Sequence, residues 1–371
     1  MFNQGKFRLI ATAVLAAILF SVFTIFVFSD ASPTVSARGA ALFSPDTNTF
    51  LYEKNGDTRM PMASTTKIMT ALVAAEIGDL SQRIKIPREA TGIEGSSLYL
   101  CEGEVLSLEE LLYGLMLRSA NDAATAIALA LCGSVSAFAE KMNEKAEALG
   151  LSDTHFDNPH GLDSENHFTT AKDLARLGAA AIENETVRRI ASTYKITIGE
   201  GESRHLIVNH NKLLHSYEGS IGLKTGFTKK CGRCLVGAAE RDGVTLVSTT
   251  LSAPDDWDDH KRMLDYGFSR LTCYARLAPE QFQKEIAVLG GKESTVTVKN
   301  SEGFSLVEEA GLAEVKMQVR LNPTAAAPIS KGDVLGQVLY LREGRLLGSV
   351  SLYAAEDIPA LQKKKRGFWP F

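Results

Sequence analysis

From Gly39 to Tyr52 apolar and polar positions alternate around Pro45-Asp46-Thr47. That pattern predicts a β-hairpin with strands Ala40–Phe43 and Thr49–Tyr52. From Ile68 the chain becomes almost wholly apolar, without Gly or Pro, until Gly78. This predicts a helix buried on most sides, with Pro61 and Ser64 at its start. Short strands are predicted at Ile84–Pro87 and Leu98–Cys101. A helix from Leu106 to Leu117 follows, with Ser107 as cap and Glu109 and Glu110 in its first turn. It breaks at Arg118-Ser119-Ala120-Asn121-Asp122, and Asp122 is the expected cap of the next helix, Ala123–Leu131. Ala137–Leu149 reads as a helix closed by Gly150. The polar stretch from Phe156 to Thr170 is a long loop, and Thr170 caps Ala171–Ile182. Strands are then expected at Ile196–Ile198, His205–Val208, Ile221–Thr225, Leu235–Ala239 and Leu246–Leu251. The last two flank the turn Arg241-Asp242-Gly243. His260–Leu271 reads as a closing helix.

Beyond Arg276 the helical periodicity disappears. Ile286–Leu289, Thr295–Val298, Val315–Arg320, Val334–Tyr340 and Leu346–Leu352 alternate between turn residues, the mark of a small all-β domain. The expected architecture is therefore an α+β domain, an antiparallel sheet with helices at residues 38–275, followed by a β-rich domain at 276–358.

The two ends carry a different signal. Lys6 and Arg8 precede an uncharged, mostly apolar stretch from Leu9 to Phe28, then small residues as far as Val35-Ser36-Ala37. This predicts an export leader over residues 1–37, cut after Ala37. An uncleaved membrane anchor is the other reading, because the stretch is about the roughly 20 residues a bilayer needs. The terminal segment 359–371 joins Lys363-Lys364-Lys365-Arg366 to Phe368 and Trp369. Such a basic-aromatic tail suits an anionic membrane surface; a solvated tail is the alternative.

Composition narrows the function classes. The chain has 371 residues, 45% hydrophobic and 23% charged, with a net charge of -4. Nothing there supplies the basic footprint of a nucleic-acid partner. Five cysteines form no disulfide scaffold. Cys231 and Cys234 are a lone CxxC, expected to be unpaired thiols rather than a zinc half-site or a redox pair. No HExxH occurs, and His155, His160 and His167 lack zinc spacing. They read as loop structure, and no metal or other cofactor is expected.

Three short motifs carry the candidate chemistry. Ser64 and Lys67 are three apart, so on a helix their tips share one face. A serine hydroxyl needs a base, and a desolvated lysine supplies one. Ser119 and Asn121 lie in the polar break between two buried helices, where polar groups need partners. Lys224-Thr225-Gly226 ends a strand. Lys224 and the Thr225 hydroxyl suit a carboxylate, the strand edge suits an extended peptide, and Gly226 leaves room for it. Each motif alone says little; their joint order and context make the signal specific.

That set, S-x-x-K, S-x-N and K-T-G, resembles the penicillin-binding proteins and serine β-lactamases. More closely, the chain resembles the D-alanyl-D-alanine carboxypeptidases of the low-molecular-mass penicillin-binding protein class. The likeness extends to Asn158-Pro159-His160-Gly161-Leu162, His167-Phe168-Thr169-Thr170-Ala171-Lys172-Asp173-Leu174-Ala175 and Asp265-Tyr266-Gly267-Phe268. It implies an exported, membrane-associated hydrolase that removes the terminal D-alanine from peptidoglycan pentapeptide stems. Ser64 would form an acyl-enzyme, and β-lactams would acylate the same serine. Lys67, Ser119 and Asn121 would be catalytic. Lys224, Thr225, Gly226 and Phe227 would bind substrate, with the Ser64 and Phe227 N–H groups as oxyanion hole. Several members carry an arginine near the position of His210 to hold the substrate carboxylate; here it is missing. The tail also lacks the amphipathic anchor helix of many members. A peptidoglycan endopeptidase or transpeptidase keeps the same motifs and is the alternative. A β-lactamase fits less well, since Glu165 lacks the expected E-x-x-L-N context and the second domain is foreign to that class. A non-catalytic wall-binding protein conflicts with intact Ser64, Lys67 and Lys224.

Overall fold

A computed structural model describes residues 32–201 and 204–362. The apolar leader stretch and residues 363–371 of the basic-aromatic tail fall outside these residues, whereas Pro359 and Leu361, expected in the tail, bond to Lys292 and Gly290 of the β domain. The first hairpin is β1 (Gly39–Ser44) and β2 (Thr49–Lys54). A 3₁₀ turn at Ala63–Thr66 leads into α1 (Lys67–Ile77). A small pair, β3 (Arg83–Lys85) and β4 (Val105–Ser107), precedes α2 (Leu108–Tyr113). Then come α3 (Asn121–Cys132), α4 (Val135–Ala148), α5 (Ala171–Glu183) and α6 (Glu185–Ser192). The hairpin β5 (Lys195–Ile198) and β6 (His205–Val208) and the short α7 (Leu213–Ser216) follow. Strands β7 (Ser220–Thr228), β8 (Gly232–Arg241) and β9 (Val244–Leu251) complete the main sheet before α8 (Asp256–Arg270).

That sheet is antiparallel throughout, in the order β2-β1-β9-β8-β7. α5 packs on one face and α8 on the other. Sandwiching explains the sequence of β1, Gly-Ala-Ala-Leu-Phe-Ser. All six residues are buried, and a strand covered on both faces reads as a run rather than an alternation. Leu42 and Leu72 are 0% and 1% exposed, and burying such a side chain stabilises by about 1.5–3 kcal/mol.

The C-terminal part holds β10 (Leu271–Leu277), β11 (Gln283–Leu289), β12 (Thr295–Lys299), β13 (Phe304–Glu309), β14 (Lys316–Leu321), β15 (Thr324–Ala326), β16 (Val334–Arg342) and β17 (Arg345–Ala354). β10 pairs with β13. The others form one sheet in the order β14-β16-β17-β12-β11-β15, with only β11 and β15 parallel. The expected boundary at Ala275 falls inside β10, which continues directly from α8. Leu271 packs into the core beneath α8, whereas Leu277 packs into the core of the β domain. One strand thus has an end in each core.

Several local expectations need correction. Residues 35–37, expected at the end of the leader, pack with the folded chain: Val35 and Ala37 are 4% and 0% exposed. Asp259 accepts bonds from the Ser36 N–H, the Ser36 hydroxyl and the Ala37 N–H, so a cut after Ala37 would strip folded contacts. Leu98–Cys101 is not a strand; its backbone N–H groups at Leu98 and Leu100 bond to Asp122 instead. For the same reason Asp122 is not the cap of α3. It lies inside that helix, with Ala120 at the cap position. α6 was not expected, because Asn184 caps it only one residue after α5 ends, accepting from Thr186 and Val187. The caps at Ser107 and Thr170 are as expected.

Candidate active site

Ser64 lies within the 3₁₀ turn just ahead of α1. Ala63 before it is held at φ 49, a left-handed conformation that costs a non-glycine residue about 1–3 kcal/mol. The Lys67 Nζ is 3.0 Å from Ser64 Oγ and 2.6 Å from Asn121 Oδ1. It also donates to the His160 carbonyl. Asn121 is oriented by its own amide, whose Nδ2 donates to the Glu94 carbonyl. Lys67 is 0% exposed. Burial, then the nearby Lys224 charge, holds its pKa well below the ordinary lysine value. Two of the three Nζ valences face oxygens that only accept. A neutral amine therefore keeps N–H bonds to Asn121 and His160 and turns its lone pair to the Ser64 hydroxyl.

The loop carrying His160 is fixed against the start of α1. The Thr70 hydroxyl donates to the Pro159 carbonyl at 2.6 Å. Asn158 Oδ1 accepts from the Gly161 N–H at 2.7 Å. His167 Nδ1 accepts from the Asp157 N–H, which leaves Nε2–H to donate to the Thr66 hydroxyl. Burial pushes His167 down to about 4 and His160 down to about 3, so both rings are neutral. The reading of these histidines as loop structure was right in kind, but it missed that the His160 carbonyl grips the lysine.

The second motif enters from the break before α3. α2 continues into a π-helical turn at Gly114–Arg118, and Ser119 closes it at φ 65. Single π turns gather at functional sites. The Asn121 N–H bonds to the Ser96 carbonyl at 2.7 Å. The third motif lies on β7, the sheet edge nearest Ser64. A Cβ on Gly226 would stand 3.1 Å from the Ser64 nitrogen, so glycine allows the strand to approach the helix start. Lys224 is 1% exposed, its Nζ donates to the Thr225 carbonyl, and burial pushes it down to about 7. Phe227 is 66% exposed.

Ser64, Ser119, Thr225, Gly226 and Phe227 line one cavity of about 310 Å³. Lys67, Asn121 and Lys224 are buried behind it. The eight residues singled out in the sequence are thus gathered at one place. Ser96, His210, Arg233, Asp256 and Trp257 also line the cavity, and none of the five belongs to a motif. Arg233 could have been placed by counting strand register, since it sits directly opposite Phe227. Cys231 and Cys234 are buried free thiols, and burial pushes Cys234 up to about 12. Among the described residues no cluster of three or more His, Cys, Asp or Glu side chains could hold a metal.

Comparison with known proteins identifies the family. Residues 27–255 match the D-alanyl-D-alanine carboxypeptidase family, and residues 278–360 match penicillin-binding protein 5, C-terminal domain. The chain is 32% identical over 346 residues to the D-alanyl-D-alanine carboxypeptidase DacF of Bacillus subtilis, covering 90% of this chain and 88% of that one. It is 31% identical to DacC of Escherichia coli, covering 88% and 85%. Penicillin binding protein 5 from Haemophilus influenzae superposes with a TM-score of 0.64 at 27% identity, over 89% of this chain and 99% of that one. The Streptomyces K15 DD-transpeptidase superposes at 0.61 with 34% identity, over 64% and 99%. The chain belongs to the D-alanyl-D-alanine carboxypeptidase family of penicillin-binding serine peptidases. It is a D-Ala-D-Ala carboxypeptidase acting on peptidoglycan stem peptides, with β-lactams as ligands, and this work outside the cytoplasm is consistent with export.

Proposed function

We propose that Ser64 is the nucleophile and Lys67 its base. The Ser64 oxygen attacks the carbonyl of the penultimate D-alanine while its proton passes to the neutral Lys67 amine. The N–H groups of Ser64 and Phe227 receive the oxyanion. Ser119 relays the proton from Lys67 to the departing nitrogen as the C–N bond breaks, releasing D-alanine. Water then hydrolyses the ester with Lys67 again taking the proton. Asn121 orients Lys67 and the substrate amide. Lys224 and the Thr225 hydroxyl hold the terminal carboxylate, and Gly226 admits the peptide beside β7. The observation carrying this reading is the placement of Lys67 Nζ, 3.0 Å from Ser64 Oγ and bonded to Asn121 Oδ1 and the His160 carbonyl; a neutral amine there has its lone pair left for Ser64.

The test is D-alanine release from an acyl-D-Ala-D-Ala peptide, with labelling by a fluorescent penicillin alongside. Both should vanish in Ser64→Ala, and labelling that persists there would exclude Ser64 as nucleophile. Cross-linked product in the same assay would favour a transpeptidase.

The leader upstream of Thr34 would direct export, and the basic-aromatic residues 363–371 would rest on anionic headgroups at the outer face of the cell membrane. Sedimentation of the full chain with anionic vesicles, against a chain ending at Gln362, tests the tail. Equal sedimentation would remove it from membrane attachment.

A further inference from the structure

We infer that Asp122 is a positioning residue for the reaction. It clamps the 94–100 loop that aligns Asn121 on Lys67, and it supplies the buried counter-charge for the ammonium that Lys67 becomes on taking the Ser64 proton. The inference rests on the proposed function, in which Lys67 is the base. Asp122 is 0% exposed in the first turn of α3. Its carboxylate accepts from the Ser97 hydroxyl at 2.6 Å, from the Leu98 and Leu100 N–H groups at 3.1 and 3.0 Å, and from the Ala123 N–H at 2.9 Å. Every partner is a donor, the set that an ionised carboxylate requires. The same loop turns two carbonyls to Asn121: Glu94 accepts from its Nδ2 and Ser96 from its backbone N–H. With the amide nitrogen held there, Oδ1 faces the Lys67 Nζ, 2.6 Å away. Gly95 lies against that amide, and a Cβ there would stand 2.7 Å from Asn121 Nδ2.

Asp173, Asp256 and Asp259 are also buried, and each faces an arginine: Arg176, Arg233 and Arg262. Asp122 is held by neutral donors instead, so its charge is left to act on its surroundings. A buried charge without a counter-ion is costly, and here the counter-ion is made during the reaction. Two lysines, Lys67 and Lys224, lie buried behind the cavity. Burial, then the Lys224 charge, lowers the Lys67 pKa, and Asp122 opposes both. The other titratable groups facing Lys67 are His160 and His167, whose rings are neutral. Asp157 and Asp163 act on His167. Lys67 must be neutral to start and cationic once the proton arrives. Without Asp122 the amine is a weaker base and its ammonium has no balancing charge.

The experiment follows acylation by a fluorescent penicillin, and kcat/KM for an acyl-D-Ala-D-Ala peptide, across roughly pH 5–10. It compares wild type, Asp122→Asn, Asp122→Ser and Ser97→Ala. Asp122→Asn removes the charge at nearly constant shape. Asp122→Ser removes it while leaving room for a water to accept from Leu98 and Leu100. Ser97→Ala loosens the same loop but keeps the charge. In both Asp122 variants the acid limb should move to lower pH by about one unit, the lower end of what a neighbouring opposite charge does. The plateau should fall by about 3–10-fold as the base weakens. Ser97→Ala should lower the plateau with the acid limb in place. The midpoint of a limb does not depend on the fraction of protein that is folded, so partial misfolding does not mask the movement. An acid limb that stays, or moves to higher pH, in both Asp122 variants would overturn the assignment while leaving Lys67 as base. An equal downward movement in Ser97→Ala would overturn it too, by tracing the effect to the loop. A wild-type profile with no acid limb would remove Lys67 as base, and this inference with it.

Discussion

Lys67 Nζ stands 3.0 Å from Ser64 Oγ, and Lys67 is fully buried. The spacing of three residues places the two tips together, and burial lowers the Lys67 pKa well below its ordinary value, which favours the neutral amine that a base must be. Lys67→Met removes the amine, whereas Lys67→Arg keeps donors and charge but cannot give up a proton. Both should lower kcat/KM and the rate of penicillin acylation by about 10²–10⁴-fold. Stopped-flow fluorescence with a labelled penicillin measures this directly. Substantial acylation by Lys67→Arg would show that a different group takes the Ser64 proton.

The two buried lysines set opposite limbs of the pH profile. Acylation requires neutral Lys67, so kcat/KM rises as that group loses its proton. Carboxylate binding requires protonated Lys224, whose value burial pushes down to about 7, so kcat/KM falls as pH passes through that region. Lys224→Arg stays charged throughout. Its alkaline limb should move to higher pH while the acid limb stays, in a kcat/KM titration across roughly pH 5–10. An alkaline limb unmoved in Lys224→Arg would assign it to another group.

The main sheet, most helices and the three motifs could be read from the chain because their signals are local. Runs of apolar residues mark α1, and caps at Ser107 and Thr170 mark helix starts. What escaped depends on contacts across long sequence separations. Asp122 looks like a cap by position, yet Ser97, Leu98 and Leu100 donate to it from the preceding loop. His160 acts through its backbone carbonyl, which side-chain chemistry cannot signal. Arg233 and Asp256 meet only once β8 and α8 pack on the same sheet. The packing of residues 35–37 is equally non-local, since Ser36 and Ala37 find Asp259 more than two hundred residues away.

Gly161 is a backbone contact point for the nucleophile turn. It sits at φ +87, and a Cβ there would lie 2.0 Å from the Ala63 carbonyl oxygen and 2.8 Å from Thr66 Oγ1. Gly161→Ala therefore combines a left-handed penalty of about 1–2 kcal/mol with overpacking of about 1–3 kcal/mol. Urea unfolding should show the loss. The His160 carbonyl would shift with the loop, so penicillin acylation should slow as well. Unchanged stability and acylation would mean that the 158–162 loop is not tied to the Ser64 turn.

Asp259 fastens the start of the folded chain to α8. Its side chain is 0% exposed and accepts from the Ser36 N–H, the Ser36 hydroxyl, the Ala37 N–H and Arg262. Burial alone would raise its pKa, but these donors outweigh burial and hold it below the ordinary carboxylate value. A depressed carboxylate contributes stability at pH above its unfolded value and loses it as pH falls through the folded value. Asp259→Ala should therefore destabilise at neutral pH, by about 1–3 kcal/mol for the unpaired donors left behind. The gap from wild type should narrow on acidification, because wild type loses the same bonds when Asp259 is protonated. Urea midpoints at neutral and acid pH measure the gap, and hydrogen exchange at the Ser36 and Ala37 amides locates it. A gap that stays constant with pH would mean that packing of Val35 and Ala37, and not the Asp259 charge, holds the segment.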